Sequence, residues 1–173
     1  MRYLLSVCLV ALFFGGVAVQ SVAVADEKTS IPDAPSDAAM AFVGQFSDAH
    51  LTGMLKRIGA RQPTMVALSQ LHGQMLAAIY DSEIEKAVKK HGPLWQTNMA
   101  RAWTGLMTDA ELTSLKADGA ASAHTGKYQE MTPKAGARMQ EMSAELFRGI
   151  LAEVIKNTMT ALGEDETAPE KTE

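Results

Sequence analysis

The stretch PKAGARMQEMSAELFRGILAEVIKNTMT, residues 133–160, decides the fold class of this 173-residue chain. Its apolar residues recur at steps of three and four, which is the spacing of one face of an α-helix. Pro133 suits the first turn of a helix, where the missing N–H has no partner to lose. The pattern therefore predicts a long helix that begins at Pro133 and buries one face, formed by Met139, Met142, Leu146, Ile150, Leu151, Val154, Ile155 and Met159.

The chain upstream repeats this helical spacing. One helix is predicted from Ser36, a suitable N-cap, to about Ile58, with Gly59 as its terminator. A second is predicted to begin at Pro63 and to end at His91-Gly92-Pro93, because glycine suits a C-cap and proline does not continue the hydrogen-bond ladder. The buried stripe predicted for this second helix comprises Leu68, Leu71, Met75, Leu76, Ile79, Ile84, Ala87 and Val88.

Two shorter helical segments lie between these long ones. A third helix is predicted within residues 94–106, and Thr108 with Glu111 forms a capping box that begins a short fourth helix. A loop is expected over 118–125, and no segment shows the alternation of a β-strand. The sequence thus predicts an all-α domain over residues 36–162, an antiparallel bundle of about four to six helices.

Residues 1–25, MRYLLSVCLVALFFGGVAVQSVAVA, have the layout of a secretory signal peptide. Arg2 precedes an apolar run, and the small residues at 23 and 25 match a cleavage site. The alternative is an uncleaved membrane anchor, because the run approaches the length of a bilayer span. Cys8 lies too early in the run for a lipoprotein signal. We expect Sec-type export to the periplasm with cleavage after Ala25.

Composition excludes several classes of protein. The net charge of -4 argues against nucleic-acid binding, which favours a basic balance. Since the one cysteine lies in the predicted signal peptide, neither a disulfide framework nor a multi-cysteine zinc site is expected. Residues 26–35 are predicted to be a flexible leader. Residues 163–173, with five acids and one lysine, are predicted to be a disordered acidic tail.

Methionine and histidine raise the hypothesis of a copper site, because thioether and imidazole ligands suit Cu(I). His72 and Met75 are three residues apart, as are Met139 and Met142, so each pair is expected on one helix face. The same methionines also fit the apolar stripes of a helical core. Core packing is the preferred interpretation of these methionines, with copper handling as the alternative.

Binding is favoured over catalysis by what the sequence contains. Trp95 and Trp103, eight residues apart, fall on one side of the third helix, where they form either buried packing or an exposed recognition patch. A groove between helices would admit a lipid-like or peptide ligand. The known nucleophile, metalloprotease and nucleotide motifs are missing from the sequence, which leaves a spatially assembled hydrolase site as a second alternative.

The stretch LMTDAELTSLKADGAASAHTGKYQEMTP, residues 106–133, and the long helix after it resemble the bacterial family catalogued as domain of unknown function 2059. The family pattern has a threonine-capped Glu-Leu helix, an aromatic pair, a Ser-Pro, a Gly-Lys element and a proline before a long helix. The aromatic pair, due near Asp118-Gly119, and the Ser-Pro are missing here. The resemblance covers about 94–155 and implies an exported all-helical protein without assigned activity or catalytic residues. The matching positions are Thr108, Glu111, Leu112, Leu115, Gly126, Lys127 and Pro133.

The resulting expectation is an exported periplasmic protein that binds rather than catalyses, with a role in envelope maintenance. Its expected partner is a protein or a small apolar ligand, and it needs no cofactor. Nucleic acid is not an expected partner, and the membrane is one only through the signal peptide before cleavage. The alternatives are copper handling through His72, Met75, Met139 and Met142, and a hydrolase.

Overall fold

A computed structural model describes residues 30–166 of the chain. The predicted signal peptide, the first residues of the predicted leader and residues 167–173 of the predicted tail lie outside this range. Across residues 30–166 there is no β-strand, and an isolated bridge pairs Thr104 with Met107. The predicted all-α class is therefore confirmed, with five α-helices in this described range: α1 (Asp37–Val43), α2 (Ser47–Gly59), α3 (Pro63–Trp103), α4 (Asp109–Asp118) and α5 (Thr125–Glu166).

The first predicted helix is in fact two helices, α1 and α2. The Ser36 cap is confirmed, since its hydroxyl accepts a hydrogen bond from the Ala39 backbone N–H. At the break after α1, the Gln96 side-chain amide donates to the Met40 carbonyl at 3.3 Å. A Cβ at Gly44 would lie 2.9 Å from that amide nitrogen, so the end of α1 is shaped around the Gln96 side chain.

The predicted helix end at His91-Gly92-Pro93 is wrong, because α3 continues through Pro93 to Trp103. Proline removes one backbone hydrogen bond, but the residues beyond it bury Trp95, which is 2% exposed. Gly92 is a packing residue here, since an added Cβ would lie 2.9 Å from the Asp48 carboxylate. Burial and close approach thus outweigh the two local stop signals.

The last helix begins eight residues before the predicted start at Pro133. Within α5, Pro133 is an interior residue, and the turns before it are held by Tyr128, which is buried. The Tyr128 ring stacks on Trp103 with centroids 4.8 Å apart. The Thr132 hydroxyl donates to the Tyr128 carbonyl at 2.7 Å, which gives the helix a bond beside the missing proline donor.

The chain divides into two compact units, each made of two separate segments. In the described range, unit 1 contains residues 30–47 and 94–143, and unit 2 contains residues 48–93 and 144–166. Unit 1 has an aromatic core, in which Phe42 meets Trp103 and Tyr128 edge to face. The fully buried aliphatic side chains of unit 2 are Leu51, Leu55, Ile84, Ile150 and Val154.

Local caps define the helix ends within unit 1. The capping box at α4 is confirmed, with Thr108 and Glu111 each bonded to the other's backbone N–H. At the end of α3, the Arg138 guanidinium donates to the carbonyls of Ala102 and Thr104 at 3.3 and 3.0 Å. A cation at a helix C-terminus is favourable, because it offsets the negative end of the helix dipole.

Candidate binding surface

An uncharged segment at the start of α3 exposes apolar side chains. Residues 62–80, QPTMVALSQLHGQMLAAIY, contain no Asp, Glu, Lys or Arg, although 21% of the chain is charged. We call residues 62–80 the arm. Leu71 is 77% exposed, Val66 45% and Met75 46%. All three lie within ten positions of one another along the chain, and large exposed apolar side chains concentrated in one segment are typical of a contact surface.

This exposure corrects the predicted core stripe, which included Leu71 and Met75. The buried arm residues are Met65, Leu76 and Tyr80. Most of the helix circumference therefore lies open, and the arm contributes only a narrow strip to the core of unit 2. Hydrophobic spacing identified the apolar residues correctly but assigned two of them to the wrong environment.

The arm bends at Gly73. Its backbone has φ 52° and ψ -122°, a conformation that side chains of L-residues rarely adopt. An added Cβ at Gly73 would meet nothing within 4 Å, so substitution here strains the backbone without crowding a neighbour. Because the helix is interrupted at this residue, the predicted shared helix face of His72 and Met75 is wrong.

Tyr80 anchors the C-terminal end of the arm. Its buried hydroxyl donates to the Leu55 carbonyl at 2.7 Å. Burial, with a smaller contribution from the Asp81 carboxylate, raises the pKa of Tyr80 to about 12. The ring fits over Gly59, where an added Cβ would overlap the hydroxyl oxygen and lie 2.7 Å from Cζ. Gly59 ends α2 as predicted, and its missing side chain also provides the space for Tyr80.

Charged residues resume directly after the arm. Asp81 pairs with Lys56 at 2.9 Å, with both side chains about half exposed. Further along α3, Lys90 and His91 bind the two carboxylate oxygens of Glu153 at 2.8 and 3.0 Å. The hydrogen bonds from Lys90 and then His91 lower the pKa of Glu153. Within unit 2, the lack of charged residues is therefore confined to the arm.

Unit 2 also buries a titratable group, His50 of α2. Its side chain is nearly inaccessible to solvent. Burial, and secondarily the positive charge of Arg57, lowers the pKa of His50 to about 4. The imidazole is therefore neutral at pH 7 and acts as a core residue.

The four residues proposed for copper lie in different surroundings. His72 and Met75 belong to unit 2, whereas Met139 and Met142 belong to unit 1. The Met139 sulfur is buried and accepts a hydrogen bond from the Ser143 hydroxyl at 3.5 Å. This bond gives Met139 a packing role in the core. In residues 30–166, no group of three or more His, Cys, Asp or Glu is arranged to hold a metal ion.

The two tryptophans proposed as a recognition patch are core residues. Trp95 and Trp103 are each 2% exposed, so an exposed patch at these positions is wrong and buried packing is confirmed. Trp103 packs between Tyr128 and Phe42. Neither indole ring presents a face to solvent within the described chain.

The most strongly bonded carboxylate of unit 1 is Glu111. Lys127 donates to both of its oxygens at 2.8 and 2.7 Å, and the Thr108 N–H donates at 2.8 Å. The Lys127 bond, followed by the Thr108 bond, lowers the pKa of Glu111 to about 2. His124 lies 4.0 Å away. The group ties the start of α4 to the start of α5.

Comparison with known proteins gives no relative from which to transfer a function. No known family, no curated protein and no solved structure matches this chain. Among the described helices, none combines the length and apolar character needed to cross a bilayer. The arm is the feature that sequence reasoning missed, and its signal was 19 consecutive residues without a charge.

Proposed function

We propose that this protein is an exported, non-enzymatic binding module that engages a macromolecular partner through the arm. The observation that carries the proposal is Leu71, the most exposed large apolar side chain of the described residues, within a segment lacking charge. Covering an exposed leucine contributes about 1.5–3 kcal/mol, which favours a partner that covers it. Export through the N-terminal segment and a role in the cell envelope belong to the same proposal.

The exposure of the arm favours a macromolecule over a small apolar ligand. Small-ligand sites are concave and bury most of the ligand surface. Val66, Leu71 and Met75 each have about half or more of their surface open to solvent. Such residues suit a partner large enough to lie along the helix and cover several of them at once.

The chemistry of the arm favours binding over catalysis. His72 and Tyr80 are its only titratable side chains. The hydroxyl proton of Tyr80 is held by the Leu55 carbonyl, and its raised pKa keeps the phenol protonated. The other arm residues offer apolar surface, amides and hydroxyls, which are groups of recognition.

Site-specific photo-crosslinking in the producing cells tests this function. A photo-reactive amino acid replaces Leu71, and the matched control places it at Leu94, which is 52% exposed but lies outside the arm. We expect discrete covalent adducts from position 71 and none of the same mass from position 94. An arm that gives no discrete adduct, or the same adducts as position 94, would show that it is not a docking surface.

A further inference from the structure

We infer that Gly73 is a hinge, on which residues 63–72 move between the bent arm of this structure and a straight helix. In the straight state the arm presents one continuous apolar face, whereas the bend divides that face. The hinge follows from the backbone of Gly73, from the sequence on either side of it and from the burial of residues 63–72. Its role in binding rests on the proposed function.

The backbone of Gly73 is compatible with both states. Its φ of 52° and ψ of -122° lie in a region that is open to glycine and strained for residues with a Cβ. Glycine also adopts the ordinary helical conformation, at a cost that one residue in a long helix tolerates. An added Cβ at Gly73 would meet nothing within 4 Å, so the space beside the hinge residue is open.

The sequence on both sides of Gly73 favours helix. Residues 64–72 and 74–80 contain neither proline nor a second glycine, and Ala, Leu, Met and Gln make up much of both segments. These are good helix formers. A helix that continues without a break across Gly73 is therefore available to this sequence, and glycine is the one residue in 64–80 that also permits the bend.

Few side chains hold residues 63–72 in place. Met65 is the buried side chain of this segment, and Leu68 and His72 are half-buried. Val66 and Leu71 are largely open to solvent. Segments that bury little apolar surface are the ones that move at low cost in free energy. Residues 63–72 can therefore change direction while Leu76 and Tyr80, beyond the hinge, stay in the core of unit 2.

The straight state aligns apolar side chains that the bend separates. Leu68, Leu71 and Met75 are spaced by three and four residues, which places them on one face of an uninterrupted helix. Gly73 lies between Leu71 and Met75, so the bend divides this face. A partner that covers all three side chains together binds the straight state more tightly and shifts the population toward it. The shape of the arm and its binding are thereby coupled.

Distances between nitroxide labels across Gly73, measured by double electron–electron resonance, test the hinge. The labels are attached to Ala67→Cys and Glu85→Cys, both at exposed positions, in a chain whose native Cys8 is replaced by serine. In a straight helix these positions are separated by about 27 Å, at 1.5 Å per residue, and the bent arm gives a shorter distance. We expect both distances in the native protein.

A second label pair and two glycine variants provide the controls. Labels on Gln74→Cys and Lys89→Cys, both exposed and beyond the bend, should give one distance in every variant. Gly73→Ala should raise the ratio of straight to bent arms about fivefold or more, because alanine is strained at positive φ and favours helix. Gly53→Ala, in α2 with open space around it, should leave that ratio unchanged.

Crosslinking from position 71 connects the hinge to binding. In the Gly73→Ala background the yield of discrete adducts from Leu71 should rise with the ratio of straight to bent arms. Equal yields in the two backgrounds, despite a shifted ratio, would overturn the role of the hinge in binding. If no discrete adduct forms in either background, the proposed function fails together with that role, while the distances still decide whether the hinge exists.

The native protein alone can overturn the hinge. One distance between positions 67 and 85, without a second population, shows an arm with a single shape, and this result holds even if Gly73→Ala fails to fold by circular dichroism. A folded Gly73→Ala protein with the native distribution overturns the hinge as well. In both cases discrete adducts from position 71 would leave the proposed function standing.

Discussion

Replacing Gly59 by alanine tests the packing that holds the base of the arm. The new methyl group would overlap the Tyr80 hydroxyl and lie 2.7 Å from Cζ, so the ring must move. Overpacking of this kind costs about 1–3 kcal/mol. Losing the buried bond from Tyr80 to the Leu55 carbonyl adds about 0.5–1.5 kcal/mol. Alanine recovers at most about 1 kcal/mol through its better helix propensity. The expected net loss of stability is about 0.5–4.5 kcal/mol.

Urea unfolding followed by circular dichroism measures this loss as a lower midpoint. The matched control is Gly53→Ala in the same helix, where an added Cβ meets nothing within 4 Å. Gly53→Ala should stabilise the protein by about 0.4–1 kcal/mol, because alanine is the better helix former. The two substitutions are chemically identical, so a difference in sign isolates the steric contact.

A double-mutant cycle identifies Tyr80 as the colliding group. Tyr80→Phe alone should cost about 1 kcal/mol through the lost hydrogen bond. In the Gly59→Ala background it should cost less or even restore stability, because the overlapping oxygen is gone. Equal stability of Gly59→Ala and the native protein, or strict additivity of the two substitutions, would refute this account of the packing.

Three further results are expected. The pKa of His50 is about 4 in the folded protein and near 6.5 in the unfolded chain, so proton binding favours unfolding. The free energy of unfolding should therefore fall as the pH is lowered from 6.5 to 4. Urea midpoints measured across this range should show that slope for the native protein and lose it for His50→Leu. The pKa of Glu111 is lowered from 4.5 to about 2, mainly by Lys127, so its contribution to stability should be lost as the pH falls from 4.5 to 2. In Glu111→Gln, which keeps the capping box, the free energy of unfolding should depend less on pH in this range. Met139→Leu should leave Cu(I) affinity in an anaerobic titration unchanged, because the buried sulfur already accepts from Ser143, and a clear loss of affinity would restore the copper hypothesis.

Features of the fold that depend on a few neighbouring residues could be predicted from the sequence. The Ser36 cap and the Thr108–Glu111 capping box are confirmed, because their hydrogen bonds span only three residues. The two prolines inside helices could not be predicted in this way, because their positions depend on residues distant in the sequence. Whether a helix tolerates Pro93 or Pro133 depends on buried side chains on the far side of the predicted boundary, Trp95 after Pro93 and Tyr128 before Pro133, and their packing partners are brought together only by folding.

Glycine shows the same division. A glycine inside a helix often permits close helix packing, yet Gly53 has open space around it and Gly73 lies at a bend. The glycines with close neighbours include Gly59 and Gly92, which the sequence predicted as helix terminators. The sequence shows where a glycine is, but the atom that fills the space beside it comes from a residue distant in the sequence.

The candidate surface was hidden for a related reason. Periodicity reports that a residue is apolar and where it falls on a helix, but a core and an interface present the same pattern. Leu71 and Met75 are exposed because no other part of the described chain covers them, and that is a property of the whole fold. The local signal that separates the arm from the rest of α3 was its run of 19 residues without Asp, Glu, Lys or Arg.

The two-segment composition of each unit imposes an order on folding during synthesis. A chain that emerges from its N-terminus can complete unit 1 once residue 143 is free, whereas unit 2 waits for residues 144–166. Until then, the apolar residues of α2 and of the arm have been released without their last helical partner. In the interval between these two points that apolar surface is unpaired, and because the segments of the two units alternate along the chain, no single cut can separate one unit from the other.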